Sequence, residues 1–314
     1  MDLVFCGTPQ FAVPTLERLV AAGHKVRLVV TQPDRPRGRG MELQHSPVKQ
    51  AAVHLGLQVT QPDKIKNNGE FREMLGRIEP QAIIVVGYGR IIPQWMLDLP
   101  KFGNINLHAS LLPKYRGAAP IQWAIANGES VTGNTTMRIN AGLDTGDMLM
   151  REETHIAPDD TALSVAQRLS RSGAELILKT LEGLQTGSLQ AEPQDDARAS
   201  LAPILKKEDG RIDFNRAAQE ICNRMRGFQP WPGAFTQFRG KSLNVLEATV
   251  STNIAHLAPS ETAFGNDLLL VGCGGNTMLE ISALQPEGKK RMSAGDFANG
   301  YKPQPGERLG AAGS

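Results

Sequence analysis

Apolar and polar positions in the first part of the chain alternate between short apolar runs and longer amphipathic stretches. Residues 3–6, 26–30 and 82–86 are almost purely apolar, which is typical of parallel strands buried on both faces. Between residues 11 and 20 the apolar positions instead recur at helical spacing. This alternation predicts an α/β domain with a Rossmann-like, open, mostly parallel sheet and helices on both faces.

The pattern changes near residue 190. A long amphipathic helix is predicted from about Asp159 to Gly187, and the following residues are polar, small and aperiodic. Short strand candidates then follow between residues 234 and 284, as is typical of a small β-barrel. We therefore predict a catalytic domain at 1–189, a linker at 190–205 and a smaller OB-like β-barrel domain at 206–314.

Composition narrows the class of protein. The 314 residues carry a net charge of +2, which argues against a generally basic protein that coats nucleic acid. Cys6, Cys222 and Cys273 are too few and too far apart for a disulfide framework. No apolar run reaches the ~18 residues of a membrane span, and the first residues lack the charge pattern of a secretory signal. We expect a cytoplasmic monomer with no membrane contact and no metal.

Known nucleotide motifs are missing from the first strand–turn–helix unit. The turn at Gly7 lacks the GxGxxG pattern that lets a backbone approach a pyrophosphate, so hydride transfer is disfavoured and Gly7 is read as closing a turn. The chain also has no GxxxxGK[ST], HExxH or GxSxG motif.

Three residues with complementary chemistry stand near predicted strand ends. Asn106 and His108 lie two apart on a predicted strand and so share a face, and Asp144 follows the next strand in a glycine-bearing loop. An amide donor, an imidazole and a carboxylate suit acyl transfer to an amine, in which Asn binds the oxyanion and His or Asp handles protons. Spacing alone leaves open that His108 is structural, that Asn106 caps a turn and that Asp144 is a turn residue.

The surrounding residues resemble those of the 10-formyltetrahydrofolate-dependent formyltransferases, and most closely the members that formylate methionyl-tRNA. The resemblance covers almost the whole chain. It rests on Asn106-x-His108-x-Ser110-Leu111-Leu112-Pro113, on Gly-Leu-Asp144-Thr-Gly-Asp, on Phe5-Cys6-Gly7-Thr8-Pro9, on Thr31-Gln32-Pro33-Asp34-Arg35-Pro36, on Arg116-Gly117-Ala118-Ala119-Pro120 and on Pro230-Trp231-Pro232-Gly233-Ala234.

The resemblance implies a reaction and its residues. The formyl group of 10-formyltetrahydrofolate would pass to the α-amino group of methionyl initiator tRNA by direct amine attack, without a covalent enzyme intermediate. The implied catalytic residues are Asn106, His108 and Asp144. The implied folate contacts are Ser110, Leu111, Leu112, Pro113, Ile91 and Ile92, although core packing explains the two isoleucines equally well. The chain departs from the family pattern at Asn140, where an acidic residue is common, at Gly87, where alanine is usual, and at Arg37, where a small residue is common.

A basic loop is the predicted contact for tRNA. Three of the five residues from Arg35 to Arg39 are arginines (Arg35, Arg37 and Arg39), in a segment rich in glycine and proline. Such arginines can contact phosphates without reading sequence. A loop that is merely solvated could have the same composition. The initiator tRNA and the folate are thus the expected partners. The alternatives are a formyltransferase for a small amine, such as glycinamide ribonucleotide or an amino sugar, and a non-catalytic RNA-binding protein.

Overall fold

We analysed a computed structural model of the chain, which describes residues 1–37, 42–252, 256–265, 267–304 and 306–310; of Arg37 and Glu42 it describes only the backbone. The chain divides into two compact units. The first comprises residues 1–120, 131–155 and 164–203, and the second comprises residues 121–130, 156–163 and 204–314. No helix among the described residues is long and apolar enough to cross a bilayer.

The first unit is built on a seven-stranded sheet with the order β5-β2-β1-β6-β7-β8-β9. The first five of these strands are parallel, and β8 and β9 continue the sheet antiparallel. A separate hairpin is formed by β3 and β4. The strands of this unit are β1 (Asp2–Gly7), β2 (Lys25–Val30), β3 (Arg35–Arg37), β4 (Glu42–Gln44), β5 (Val59–Thr60), β6 (Ala82–Val86), β7 (Asn104–His108), β8 (Val131–Arg138) and β9 (Met148–His155).

Within the described residues, six α-helices connect or follow these strands. They are α1 (Val13–Ala21), α2 (Pro47–His54), α3 (Gly69–Ile78), α4 (Gln94–Leu97), α5 (Pro120–Ala126) and α6 (Ala162–Thr186). Side chains cap α2 and α3: the Ser46 hydroxyl accepts the Lys49 amide at the start of α2, and Asn68 accepts the Phe71 amide at the start of α3.

Strand β7 has one apolar face, which packs in the core, and one polar face. Ile105 and Leu107 point to one face, where they join the core formed with α1, α2 and α6. Leu107 packs so closely on α6 that a Cβ added to Gly173 would lie 2.6 Å from its Cδ2 atom. The intervening residues of β7 point to the other face.

The second unit is an antiparallel β domain. Its strands run in the order β10-β11-β14-β13-β12, with β15 also paired to β14. The bounds are α7 (Ala218–Gly227), β10 (Phe235–Phe238), β11 (Lys241–Val250), β12 (Thr262–Gly265), β13 (Leu268–Cys273), β14 (Thr277–Pro286), β15 (Met292–Ser293) and α8 (Ala294–Tyr301). Residues of α7 and α8, such as Ile221 and Phe297, share one core with strand residues such as Leu279 and Ile281.

The predicted fold class is confirmed, with a mostly parallel α/β domain and a separate antiparallel β domain. The hairpin of β3 and β4 was not predicted. The contacts of the chain group residues 121–130 and 156–163 with the second unit, whereas the predicted ranges counted them in the first. The boundaries at 189 and 205 stay predictions.

Candidate active site

The site is built on the polar face of β7. Asn104, Asn106 and His108 alternate with the two core residues of this strand and therefore lie in a row on one face. Successive members of the row are roughly 7 Å apart, since a strand rises about 3.4 Å per residue. Asn106 is half-buried, and its side chain makes no hydrogen bond to any described part of the chain.

His108 is buried and held in one orientation. Its side chain is 6% exposed, and its Nε2 atom donates to the Tyr115 carbonyl oxygen at 2.9 Å. A carbonyl oxygen only accepts, so Nε2 carries the proton and a neutral imidazole keeps its lone pair on Nδ1. That Nδ1 atom lies 3.6 Å from Oδ2 of Asp144. The Tyr115 carbonyl, rather than Asp144, thus fixes the tautomer.

Asp144 is placed by a strained loop. Its φ of 51° lies in the left-handed region that few non-glycine residues adopt. Its Oδ2 atom accepts the Gly117 amide at 2.9 Å, which aims the carboxylate at the imidazole. A Cβ at Gly146 would overlap the Arg138 carbonyl oxygen, so the loop turns back toward β8 only with glycine there.

Asn140 organises the same loop. Its Oδ1 atom accepts the Gly142 amide at 3.0 Å and the Thr145 hydroxyl at 2.9 Å. Both interactions use only the acceptor oxygen of the side chain. A carboxylate could make them equally well, so this departure from the pattern of the resembled family leaves both hydrogen bonds in place.

The segment from Ser110 to Pro113 is tied into the fold. The Ser110 hydroxyl donates to the Lys114 carbonyl at 2.6 Å, and the Thr135 hydroxyl donates to the Ser110 carbonyl at 2.7 Å. The Leu112 amide donates to the same Thr135 oxygen at 3.1 Å, and the Leu112 side chain packs in a buried cluster. Ser110, Leu112 and Pro113 are buried, and Leu111 is half-buried.

A cavity lies beside the row of polar residues. Its volume is about 270 Å³, and it reaches Asn104 at the start of β7. The lining residues are Gln94, Leu97, Asp98, Gly103, Asn104, Arg138, Ile139, Asn140 and Ala141. Asn104 is the member of the row that sequence reasoning missed, although the alternation that linked Asn106 to His108 also includes it.

One residue that lines the cavity has a buried polar atom without a partner. Asn104 is 2% exposed and its Nδ2 atom donates to the carbonyls of Met96 and Leu97. Its Oδ1 atom is buried without a hydrogen-bond partner among the described residues. A buried acceptor without a donor costs about 1–3 kcal/mol, so a ligand that supplied an N–H group would remove this cost.

The two predicted isoleucine contacts separate in the structure. Ile91 is 89% exposed, whereas Ile92 is buried in a cluster with Tyr88 and Met96. Neither lines the cavity. Burial raises the pKa of the Tyr88 phenol, whose hydroxyl finds no partner among the described residues.

The predicted basic loop begins in the hairpin of β3 and β4. Arg35 is exposed and opposite Gln44, whereas the Arg37 side chain and all of Arg39 lie outside the described residues. Asp34 stands at the base of the hairpin, where it accepts hydrogen bonds from Lys49, from Gln61 at 2.8 Å and from His45 at 2.9 Å. The Lys49 and Gln61 donors lower the pKa of Asp34 to about 2.

Two arginines of α7 are occupied within the second unit. Arg224 lies over the rings of Trp123 and Phe228, and burial lowers the pKa of its guanidinium. Arg226 donates to the carbonyls of Ala157 and Asp160. Both guanidinium groups therefore contact other residues of this unit.

No three His, Cys, Asp or Glu side chains in the described part of the chain come together as a metal site would require. Cys6, Cys222 and Cys273 are free thiols. Burial raises the pKa of each, which makes them poor nucleophiles at neutral pH.

Comparison with known proteins gives one consistent result. The family described as formyl transferase matches residues 1–181, and its C-terminal domain matches residues 204–302. A methionyl-tRNA formyltransferase of Koribacter versatilis is 66% identical over 310 residues, with 99% of each chain covered. Another from Acidobacterium capsulatum is 58% identical, covering 99% of this chain and 100% of the relative.

Solved structures share the fold at low identity. An N-formyltransferase from Helicobacter canadensis, solved with folinic acid and dTDP-3-aminofucose, has a TM-score of 0.67 at 19% identity and covers 90% of this chain and 98% of its own. The sugar 3N-formyl transferase WlaRD, solved with dTDP and 5-N-formyl-THF, has a TM-score of 0.66 at 16% identity and covers 92% and 99%. Fold and sequence together place the chain in the formyl transferase family, and within it among the methionyl-tRNA formyltransferases.

Proposed function

We propose that the chain transfers the formyl group of 10-formyltetrahydrofolate to the α-amino group of methionyl initiator tRNA. The observation that carries the proposal is the row on β7. Asn104 lines the cavity, His108 faces Asp144, and Asn106 stands between them with an unused amide. A carbonyl carbon placed beside Asn106 would lie between a binding pocket and a proton acceptor.

The cavity suits the pterin end of the folate co-substrate. Its 270 Å³ is slightly below the roughly 300–1,000 Å³ of pockets that hold whole drug-sized ligands. It therefore fits a bicyclic ring better than a complete folate. Leu97 and Ile139 offer apolar contact, while the unpartnered Asn104 oxygen can accept an N–H of the ring.

Each of the three residues near the reacting carbon takes one part of the chemistry. The free amine attacks the formyl carbon, and the Asn106 amide donates to the oxyanion of the tetrahedral intermediate. The amine then loses a proton, and Nδ1 of His108 is the buried lone pair that can receive it. The Asp144 carboxylate, 3.6 Å away, stabilises the imidazolium that results. The proton returns to N10 as tetrahydrofolate leaves, so no covalent enzyme intermediate is needed.

The tRNA contact belongs to the arginine hairpin in this proposal. Arg35 is exposed in β3, and Arg37 and Arg39 follow it in the chain. Asp34, itself clamped by three donors, fixes the point from which the hairpin leaves the sheet. A group of neighbouring arginines can bind phosphates without reading bases. The antiparallel unit would add further docking surface for the tRNA, and the reaction would take place in the cytoplasm, where initiator tRNA is charged.

One assay tests the proposal against its alternatives. The full chain is incubated with 10-formyltetrahydrofolate and with methionyl initiator tRNA, glycinamide ribonucleotide or a nucleotide-linked amino sugar, and formyl transfer to each amine is followed. Transfer to the charged tRNA is the expected result. Transfer to a small amine alone would replace the proposal with a small-amine formyltransferase, and RNA binding without any turnover would contradict catalysis altogether.

A further inference from the structure

A stretch predicted as linker forms part of the site's scaffold. Glu192 pairs with Met148 through two backbone hydrogen bonds of 2.8 Å. Further along, Arg116 donates its amide to the Ser200 carbonyl at 2.8 Å and accepts the Ala202 amide at 2.7 Å. Residues 192–202, called the strap below, therefore run beside the loop of Asp144 and the segment that follows His108.

Gln194 is the residue through which the strap reaches the loop. Its side-chain amide nitrogen Nε2 donates to the Asp144 carbonyl at 2.8 Å and to the Gly146 carbonyl at 2.7 Å. Its Oε1 atom accepts from Nε of Arg116 at 3.0 Å. Arg116 is buried, and Asp196 pairs with its Nη2 atom at 2.7 Å.

These bonds act on a residue that needs outside support. Asp144 has a left-handed φ of 51°, a conformation that costs a non-glycine residue free energy unless its surroundings hold it. Its carboxylate is held by the Gly117 amide, and its backbone is held by Gln194. The residue next to Gly117 is Arg116, so one glutamine bonds to both segments that place the carboxylate.

We infer that Gln194 is a positioning residue that fixes the Asp144 carboxylate against His108. The inference rests on the proposed function, because it assigns Asp144 to the reaction. Glutamine fits the position chemically, since one side-chain amide must donate twice to carbonyls and accept once from a guanidinium. Glutamate would accept from Arg116 but present an anionic oxygen to two carbonyl oxygens.

Two substitutions at this residue separate positioning from bulk packing. Gln194→Glu keeps the size and the acceptor for Arg116 but loses both donations, and Gln194→Leu loses all three bonds. We expect kcat to fall about 10- to 100-fold in both, the loss that follows when a reacting group is displaced by up to about 1 Å. The KM for either substrate should change less than about threefold, because uniform binding is not involved.

The pH profile gives a readout that a merely structural role would leave unchanged. If Asp144 drifts from His108, the acidic limb of the kcat profile should move in Gln194→Glu and Gln194→Leu. Glu192→Ala is the matched control: it removes an exposed strap side chain that pairs with Arg151 and leaves the backbone pairing with Met148 in place, so its kcat and pH profile should equal those of the parent.

The outcomes decide the inference in either direction. Normal kcat in both Gln194 variants overturns it, and so does a loss of folding in both by thermal melting, since Gln194 would then serve the fold alone. Failure of the proposed function appears differently, as absence of formyl transfer to charged tRNA by the parent chain. The kcat comparison is then made with the amine that the parent does formylate.

Discussion

Asp144 Oδ2 lies 3.6 Å from Nδ1 of His108 while it accepts the Gly117 amide at 2.9 Å. The carboxylate is thus tied to the backbone and close to the imidazole, but beyond direct hydrogen-bond distance from it. Nε2 donates its proton in a hydrogen bond to the Tyr115 carbonyl. In the proposed reaction, a proton accepted by Nδ1 would therefore lie between the imidazole and the Asp144 carboxylate.

Removal of either member of this pair should slow the chemical step. We expect His108→Ala and Asp144→Asn to lower kcat by at least ~100-fold, the lower range for acid–base groups. Single-turnover formylation of charged tRNA measures this step. Asp147→Asn, an exposed carboxylate of the same loop, is the control and should retain normal turnover. A rate near that of the parent in either His108 or Asp144 variant would refute the assigned roles.

Neutralising the arginine hairpin should weaken tRNA use without changing chemistry. Arg35→Ala, Arg37→Ala and Arg39→Ala should each raise the KM for charged tRNA and reduce the salt slope by about 1 for each lost phosphate contact. The KM for the folate should stay the same. Arg77→Ala, which removes another exposed arginine, serves as the control. Equal salt slopes in hairpin and control variants would remove the hairpin from the tRNA site.

Asn140 offers a test of loop geometry by a single atom. Asn140→Asp keeps an oxygen that accepts from Gly142 and Thr145, so activity should stay within about threefold of the parent. Asn140→Leu is similar in size but accepts nothing, and it should lower kcat by about tenfold or more as the loop loosens. Steady-state kinetics distinguish the two. Equal kinetics in the Leu and Asp variants would show that these hydrogen bonds do not matter.

Glycine substitutions should differ sharply in their effect on stability. Gly117 has a φ of 124°, and an added Cβ would lie 2.6 Å from the Ala202 carbonyl oxygen. Gly117→Ala should therefore reduce the free energy of unfolding by about 1–3 kcal/mol. Gly76 in α3 has open space around it, and Gly76→Ala should raise that free energy by about 0.5–1 kcal/mol. Urea denaturation measures both, and a stable Gly117→Ala protein would contradict the close approach.

Acid should affect the base of the hairpin only at very low pH. The Asp34 pKa is lowered to about 2 from an ordinary 3.8, chiefly by the Lys49 and Gln61 donors. Its contribution to stability is therefore complete above pH 3.8 and lost as the pH falls through about 2. Asp34→Asn should be less stable than the parent at neutral pH, and the difference should shrink between these values. A difference that first disappears at pH 5 in urea titrations would contradict this.

The sequence pattern predicted those features of the site that depend on neighbouring residues of one strand. Alternation along one strand predicted that Asn106 and His108 share a face, and the core positions of Ile105 and Leu107 agree with it. Adjacent positions were harder to resolve: Ile91 and Ile92 were assigned together, yet one is exposed and the other buried.

Hydrogen bonds between residues far apart in the chain could not be predicted from the local sequence pattern. Gln194 lies in an aperiodic polar stretch, and its partners Asp144 and Arg116 are far away in sequence, so composition marked it as linker. The hairpin of β3 and β4 was missed for a related reason. It is a short, separate pair with Pro36 in its first strand and Gly38 and Gly40 between its strands, and proline and glycine are depleted in strands. Only backbone pairing such as that of Arg35 with Gln44 reveals it.

Strand β7 supplies the core with its odd-numbered residues and the site with its even-numbered ones. A slip of one residue would turn Ile105 and Leu107 toward the cavity and bury Asn106 and His108 in the apolar layer. No partly misregistered state can therefore be both compact and active. We therefore expect formyl transfer to be lost on denaturation together with the structure of the first unit, whatever the stability of the second.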